Sequence, residues 1–197
     1  PHRYDRGKLF HSFAANTENL MNPSIAFLIT LAAATSLFAD DAKELAPTHA
    51  DVSYGPHAMN VLDFWKAEGN GPRPLLVYIH GGGWTGGDKK QNAARIRPYL
   101  AKGISYAAIN YRLTGKAPLP APVHDAARAI QFIRSKASEW NINKKRIALT
   151  GGSAGACTSM WILLHDDLAD RKSDDPVLRE STRVTAAAVA GGQTSID

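Results

Sequence analysis

The sequence predicts an α/β fold built on a largely parallel central sheet. Three observations carry that expectation. Short, continuous apolar runs (Leu75 to Ile79, Ile104 to Tyr111, Arg146 to Thr150) suit strands buried on both faces. Amphipathic helical patterns alternate with those runs. Glycine clusters also follow two of the predicted strands directly, at residues 81–87 and 151–155. At 197 residues, 44% of them hydrophobic and 21% charged, the chain can bury a core of ordinary globular size.

Each element has its own reason. Residues 40–56 are polar and turn-rich, His57 to Trp65 reads as a strand, and Glu68 to Pro74 is a turn cluster. Asp88 with Gln91 three positions later matches a capping box, which predicts a helix from Lys89 to about Lys102, ended by Gly103. A second helix begins near Pro122. Val123, Ala126, Ile130, Ile133, Ala137 and Trp140 recur at steps of three and four and form its apolar face, with Arg128, Gln131 and Arg134 expected on the solvent side. Ala154 to Leu164 reads as a third helix, and Val184 to Ala190 as a weaker, alanine-rich strand.

The charge pattern excludes some functions. The formal charge is +5, but the basic residues are scattered. Lys144-Lys145-Arg146, the densest run, reads as a solvated turn, so no nucleic-acid partner is expected. Cys157 is the single cysteine and excludes an intramolecular disulfide. No two histidines have zinc-ligand spacing, so neither a metal nor another cofactor is expected.

The first methionine is Met21, and residues 1–20 form an upstream segment of separate status. Ile25 to Phe38 is an apolar run of signal-peptide length, followed by Ala39 as the cleavage position. Residues 21–39 therefore read as a leader, and the protein as exported without a stable membrane anchor. Against this, Met21 to Ser24 carries no positive charge; Arg3, Arg6 and Lys8 lie upstream. A membrane anchor and a buried helix are the alternatives.

Gly81, Gly83 and Gly86 satisfy G-x-G-x-x-G after a predicted strand, which raises a dinucleotide site. That reading wants the helix to open within the motif, whereas the cap signal sits at Asp88. It also puts Trp84 where bare backbone should meet a pyrophosphate, and it finds Asn110-Tyr111-Arg112 where an acid belongs. A phosphate-binding P-loop is excluded, because no Gly-Lys-Ser/Thr follows. Gly151-Gly152-Ser153-Ala154-Gly155 is a G-x-S-x-G between a predicted strand and a predicted helix, the setting of a nucleophile elbow. Such a serine needs donors for an oxyanion. The N–H of the following residue, Ala154, supplies one, and an earlier loop of the His80-Gly81-Gly82-Gly83 type supplies others. The glycines are thus expected to serve an oxyanion.

HGGGW at 80–84 with Gly87-Asp88, NYRL at 110–113 and GGSAG at 151–155 resemble the hormone-sensitive-lipase-like branch of the α/β-hydrolases. The likeness is greatest to bacterial carboxylesterases and to feruloyl or acetyl-xylan esterase-like proteins, and it spans roughly Val52 to Asp197. The resemblance implies Ser153 as nucleophile, the N–H groups of Gly82, Gly83 and Ala154 as oxyanion hole, and His80 as a structural residue of the loop. It also implies an ester substrate, as a small molecule or linked to polysaccharide. Ala156 departs from the pattern, where many members carry another glycine.

The serine also needs a base and an acid, which in this fold follow it in the chain. His165 is the one later histidine, but twelve residues along one helix places it about 18 Å away. His124 precedes the serine and reads as a surface or capping residue, Asp197 is a weak candidate acid, and Asp166, Asp167, Asp174 and Asp175 read as solvated loop charges. Residues 40–197 are therefore expected to be the N-terminal two-thirds of an α/β-hydrolase domain, incomplete at the C-terminus and inactive alone. A non-catalytic binder on the same fold and the dinucleotide oxidoreductase are the alternatives.

Overall fold

The apolar runs become one six-stranded sheet in a computed structural model, which describes residues 45–193 apart from Asn92. The leader at 21–39, the upstream segment and Asp197 lie outside the described residues. The strands are β1 (His49–Ser53), β2 (Val61–Trp65), β3 (Arg73–Ile79), β4 (Ser105–Ile109), β5 (Ile142–Gly152) and β6 (Ala186–Ala190). The helices are α1 (Ala93–Ala101), α2 (Ala121–Ser135) and α3 (Ala154–Leu164).

The sheet order is β1-β2-β4-β3-β5-β6. β3 pairs in parallel with β4 and β5, and β5 with β6, whereas β1 and β2 join antiparallel at one side. β3 is apolar from Leu75 to Ile79, where both of its faces are covered. Leu75, Val77 and Ile79 join the core beneath α2 and α3, with Ile109, Ile130, Ile133, Ile147 and Leu149. Leu76 faces the opposite way and packs with Trp65, Ile96 and Tyr106 under α1. Burying side chains such as Ile130 and Ile133 contributes roughly 1.5–3 kcal/mol each.

Several elements differ from expectation. β1 forms within the polar stretch 40–56, and His57–Asn60 is a turn closed by the Asn60 N–H donating to the His57 carbonyl, so the strand starts at Val61. The capping box does not form: the Asp88 carboxylate accepts from the Lys90 N–H and from Asn110 Nδ2, and the helix starts at Ala93. Gly103 does end α1, at φ +67°, with the Ile104 N–H reaching back to the Tyr99 carbonyl. Lys144, Lys145 and Arg146 are exposed as expected but lie within β5 rather than in a turn.

The solvent side assigned to α2 is also corrected. Gln131 and Arg134 are buried beneath the excursion of residues 165–185 between α3 and β6. Gln131 Nε2 donates to the carbonyls of Leu178 and Glu180, at 3.2 and 2.8 Å. The Arg134 guanidinium donates to the carbonyls of Ser181, Lys144 and Arg183. A loop this long without helix or strand needs side chains to satisfy its carbonyls, and α2 supplies them. Asp167 and Asp175 are likewise structural rather than simply solvated. Asp167 accepts from the N–H groups of Ala169 and Thr182, and Asp175 pairs with Arg128 at 2.7 Å. The Asp166 side chain is fully exposed.

Arg134→Leu should therefore lower stability by about 2–3 kcal/mol, since it strands several buried carbonyls. Urea unfolding measures the loss, and limited proteolysis should find residues 165–185 newly cleavable. Parental stability and resistance would show that the guanidinium does not hold the loop.

Candidate active site

Both glycine motifs stand at the C-terminal ends of neighbouring parallel strands, β3 and β5. β5 ends at Gly152 and α3 begins at Ala154, so Ser153 is the whole connection. Its backbone sits at φ 54°, ψ −124°, a strained region for any residue with a side chain. Its N–H donates to the Ala190 carbonyl and its carbonyl accepts from the Cys157 N–H. The side chain is exposed, and its hydroxyl has no hydrogen-bond partner among the described residues.

The flanking glycines are required by close approach. A Cβ at Gly155 would lie 2.1 Å from the Ile79 carbonyl oxygen, and one at Gly151 would lie 2.5 Å from the same oxygen. That oxygen is backbone at the end of a central strand and cannot move aside.

Gly81 also packs on the elbow, since a Cβ there would be 3.4 Å from that of Ser153. The carbonyls of this loop turn inward. Gly81 O accepts from His80 Nδ1 at 2.8 Å and lies 3.4 Å from the Tyr111 hydroxyl. Gly82 O accepts from the N–H groups of Thr85 and Gly86 and from the Thr85 hydroxyl. In a trans peptide the N–H points opposite to its carbonyl. The N–H groups of Gly82 and Gly83 are consequently turned away from the loop interior, and both residues are exposed. Among the described residues no acceptor is paired with the N–H of Gly82, Gly83 or Ala154.

His80 is buried and stacks on Tyr111 with ring centroids 4.1 Å apart, and the Tyr111 hydroxyl donates to the His80 carbonyl at 2.7 Å. Burial holds the imidazole pKa below its ordinary value, outweighing the contact with Gly81. The ring is therefore neutral at pH 7, with its proton on Nδ1. His165 caps the far end of α3 and stacks on Trp161, and the exposed His124 lies on α2 with its ring 5.8 Å from Trp161. None of these rings is hydrogen-bonded to Ser153. A groove of about 460 Å³ reaches Gly151, Gly152 and Ala190 on the α1 side of the sheet, but Ser153 does not line it.

Residues that sequence reasoning missed hold the loop in place. Asn110 Oδ1 accepts from the Lys89 N–H at 2.6 Å, while its Nδ2 donates to Asp88. The Lys89 ammonium is buried against Asp63 and Asp51 at 2.6 and 2.8 Å. Arg112 donates its Nε and Nη2 to the Asp125 carboxylate at 2.8 and 2.7 Å. Burial pushes the Asp125 pKa up, but the Arg112 hydrogen bonds outweigh this and hold it below its ordinary range. The NYRL stretch at 110–113 was the available signal; its polar members read as a strand end rather than as brackets.

These features define an α/β-hydrolase fold with a strand–elbow–helix serine beside a glycine loop. The BD-FAE family model matches residues 62–192, and the chain belongs to that family. The chain is 30% identical to the esterase LipQ of Mycobacterium tuberculosis over 156 residues, which are 74% of this chain and 35% of that protein. It is 34% identical to the carboxylic ester hydrolase LipN of the same organism over 139 residues, 66% of this chain and 37% of that one. The chain thus spans about a third of the length of the curated relatives it matches. Among solved structures, an acetyl ester-xyloside bifunctional hydrolase from Caldicellulosiruptor lactoaceticus superposes with TM-score 0.65 at 26% identity. That match covers 75% of this chain and 58% of the other.

Asp125→Asn is expected to cost about 2 kcal/mol at pH 7, because the buried end of the Arg112 pair loses its charge. A depressed carboxyl contributes stability above its unfolded value, near 3.8, and loses it as pH falls through the folded value. The difference between parent and variant should therefore persist at pH 5 and shrink as the pH is lowered below 4 in thermal or urea melts. A gap that stays constant down to pH 2 would contradict the ion pair.

Proposed function

We propose that this protein, as encoded in full by its gene, is a serine carboxylester hydrolase with Ser153 as nucleophile. The observation that carries the reading is the pairing of an exposed, unpartnered serine on a strained elbow with unpaired N–H groups on the loop packed against it. In acylation the Ser153 oxygen attacks the ester carbonyl while its proton passes to a general base, which lies outside the described residues. The carbonyl oxygen takes the negative charge and accepts from the N–H groups of Gly82, Gly83 and Ala154. The alcohol leaves, and water then cleaves the acyl-serine. His80 is a loop residue in this scheme, since its Nδ1–H is committed to Gly81 and its other nitrogen is buried.

The named activities of LipQ and LipN support ester hydrolysis. The acetyl ester-xyloside hydrolase and a carbohydrate esterase from gut microbiota (25% identical, TM-score 0.62) favour short acyl esters on carbohydrate as substrate. Export through residues 21–39 belongs to the same proposal and is supported by the apolar run Ile25 to Phe38.

The full gene product should hydrolyse p-nitrophenyl acetate, and Ser153→Ala should reduce kcat by about 10⁴-fold or more. The 197-residue chain assayed alone should not exceed its own Ser153→Ala background. Turnover by the full product that survives Ser153→Ala would overturn the assignment. Ester binding without turnover would favour a binding protein on this fold.

A further inference from the structure

Trp84 and Thr158 make a direct bond between the glycine loop and the helix that follows the elbow. The Trp84 indole Nε1–H donates to Thr158 Oγ1 at 3.0 Å, and that hydroxyl donates onward to the Ala154 carbonyl at 2.9 Å. Both side chains are buried, Thr158 almost completely. Trp84 directly follows Gly83, while Ala154 directly follows Ser153. The chain of bonds therefore runs from the loop carrying the Gly82 and Gly83 N–H groups to the first turn of α3, which carries the Ala154 N–H.

Trp84 is also fixed at its backbone. Its φ is +57°, a conformation that is costly for a bulky residue. Its carbonyl accepts from the Thr114 N–H at 2.7 Å and lies 3.3 Å from the Thr114 hydroxyl. From this fixed backbone the buried indole reaches Thr158, which accepts its N–H. A threonine in mid-helix commonly bonds back to the carbonyl four residues earlier. Here that habit aims the hydroxyl hydrogen at Ala154 and leaves the oxygen's lone pairs to receive the indole.

We infer that Trp84 and Thr158 are positioning residues that hold the two halves of the oxyanion site in register. The inference rests on the esterase reading above. Neither side chain touches the reacting atoms. They act by fixing the spacing between the Gly82 and Gly83 N–H groups on one side and Ala154 on the other. Hydrogen bonds to a developing oxyanion depend steeply on that spacing, and a displacement of about 1 Å costs on the order of a hundredfold in rate. The ester itself carries little charge on its carbonyl oxygen, so the loss falls on the transition state rather than on substrate binding.

The test uses the full gene product with Trp84→Phe, which keeps an aromatic ring and removes the donor, and Thr158→Val, which keeps the shape and removes the hydroxyl. Each should lower kcat by about tenfold to a hundredfold with KM changed less than about threefold. The double variant should be no slower than the worse single one, because both remove the same bond. Thr158→Ser, which retains the oxygen, should stay near the parent. An independent readout is the ¹H–¹⁵N spectrum of the full gene product, in which Thr158→Val should shift the amide resonances of Gly82 and Gly83 as well as the Trp84 indole. Single variants with parental kcat, or rate losses that multiply in the double variant, would overturn the inference. So would glycine amides that do not move. If Ser153→Ala abolishes turnover while the Trp84 and Thr158 variants remain parental, the positioning role fails and the esterase reading stands.

Discussion

The structure depends on one close approach: the elbow rests directly on the C-terminal end of β3. The Ile79 carbonyl oxygen occupies space that a Cβ at either Gly151 or Gly155 would need. That seating makes α3 start against the backbone of the residues that open the glycine loop. Parallel pairing of β3 with β5 brings Ile79 level with Gly151, so sheet register delivers the two motifs to each other. The fold elsewhere can be understood as support for this contact. α2 and α3 bury one face of the central strands, α1 covers the opposite face of β3 and β4, and the antiparallel β1–β2 pair extends the sheet beyond β4.

Orientation of the loop peptides follows from where their carbonyls are satisfied. Two successive carbonyls, of Gly81 and Gly82, point toward donors inside the loop, which leaves the next two N–H groups facing outward without acceptors among the described residues. Unpaired N–H groups normally destabilise a fold, but these are on exposed residues where water can reach them. Water is an exchangeable partner, and in the proposed reaction a developing oxyanion takes its place. The partial positive charge beside Ser153 in the proposed site is supplied by backbone, while the buried Lys89 ammonium after the loop is turned to Asp63 and Asp51.

The parts of this arrangement legible in the sequence are those where sterics leave one residue type. Gly151 and Gly155 admit no side chain, and the elbow could be placed to the residue because strand, serine and helix follow without a gap. The central strands and α3 were legible for a related reason, since burial on every side leaves unbroken apolar runs. Periodicity found the apolar face of α2, whose predicted residues are buried, but failed on its polar side. Gln131 and Arg134 face loop carbonyls rather than water, and a polar residue has the same place in the pattern either way. Asp88 illustrates competition between partners: the carboxylate that could have capped a helix is taken by Lys90 and Asn110. Thr158 was invisible as a partner of Trp84 because the bond joins residues on different elements, at a distance only the fold creates.

Two residues with side chains hold left-handed φ angles at the site, Trp84 at 57° and Ser153 at 54°. Conformations of this kind cost on the order of 1–3 kcal/mol each and persist only when neighbours over-determine them. Glycine at position 84 would relieve the backbone, but it would also delete the indole that reaches Thr158 and leave that hydroxyl with one partner fewer. At position 153 glycine would remove the hydroxyl itself. In both places the side chain is what the strained backbone presents. The compensating bonds come from other elements: Thr114 after β4 and Thr158 on α3 for Trp84, Ala190 at the end of β6 for Ser153. The strained geometry is therefore a property of the assembled sheet and not of either motif in isolation. It follows that a glycine-loop sequence and an elbow sequence specify this site only when the strands beneath them are paired in this order.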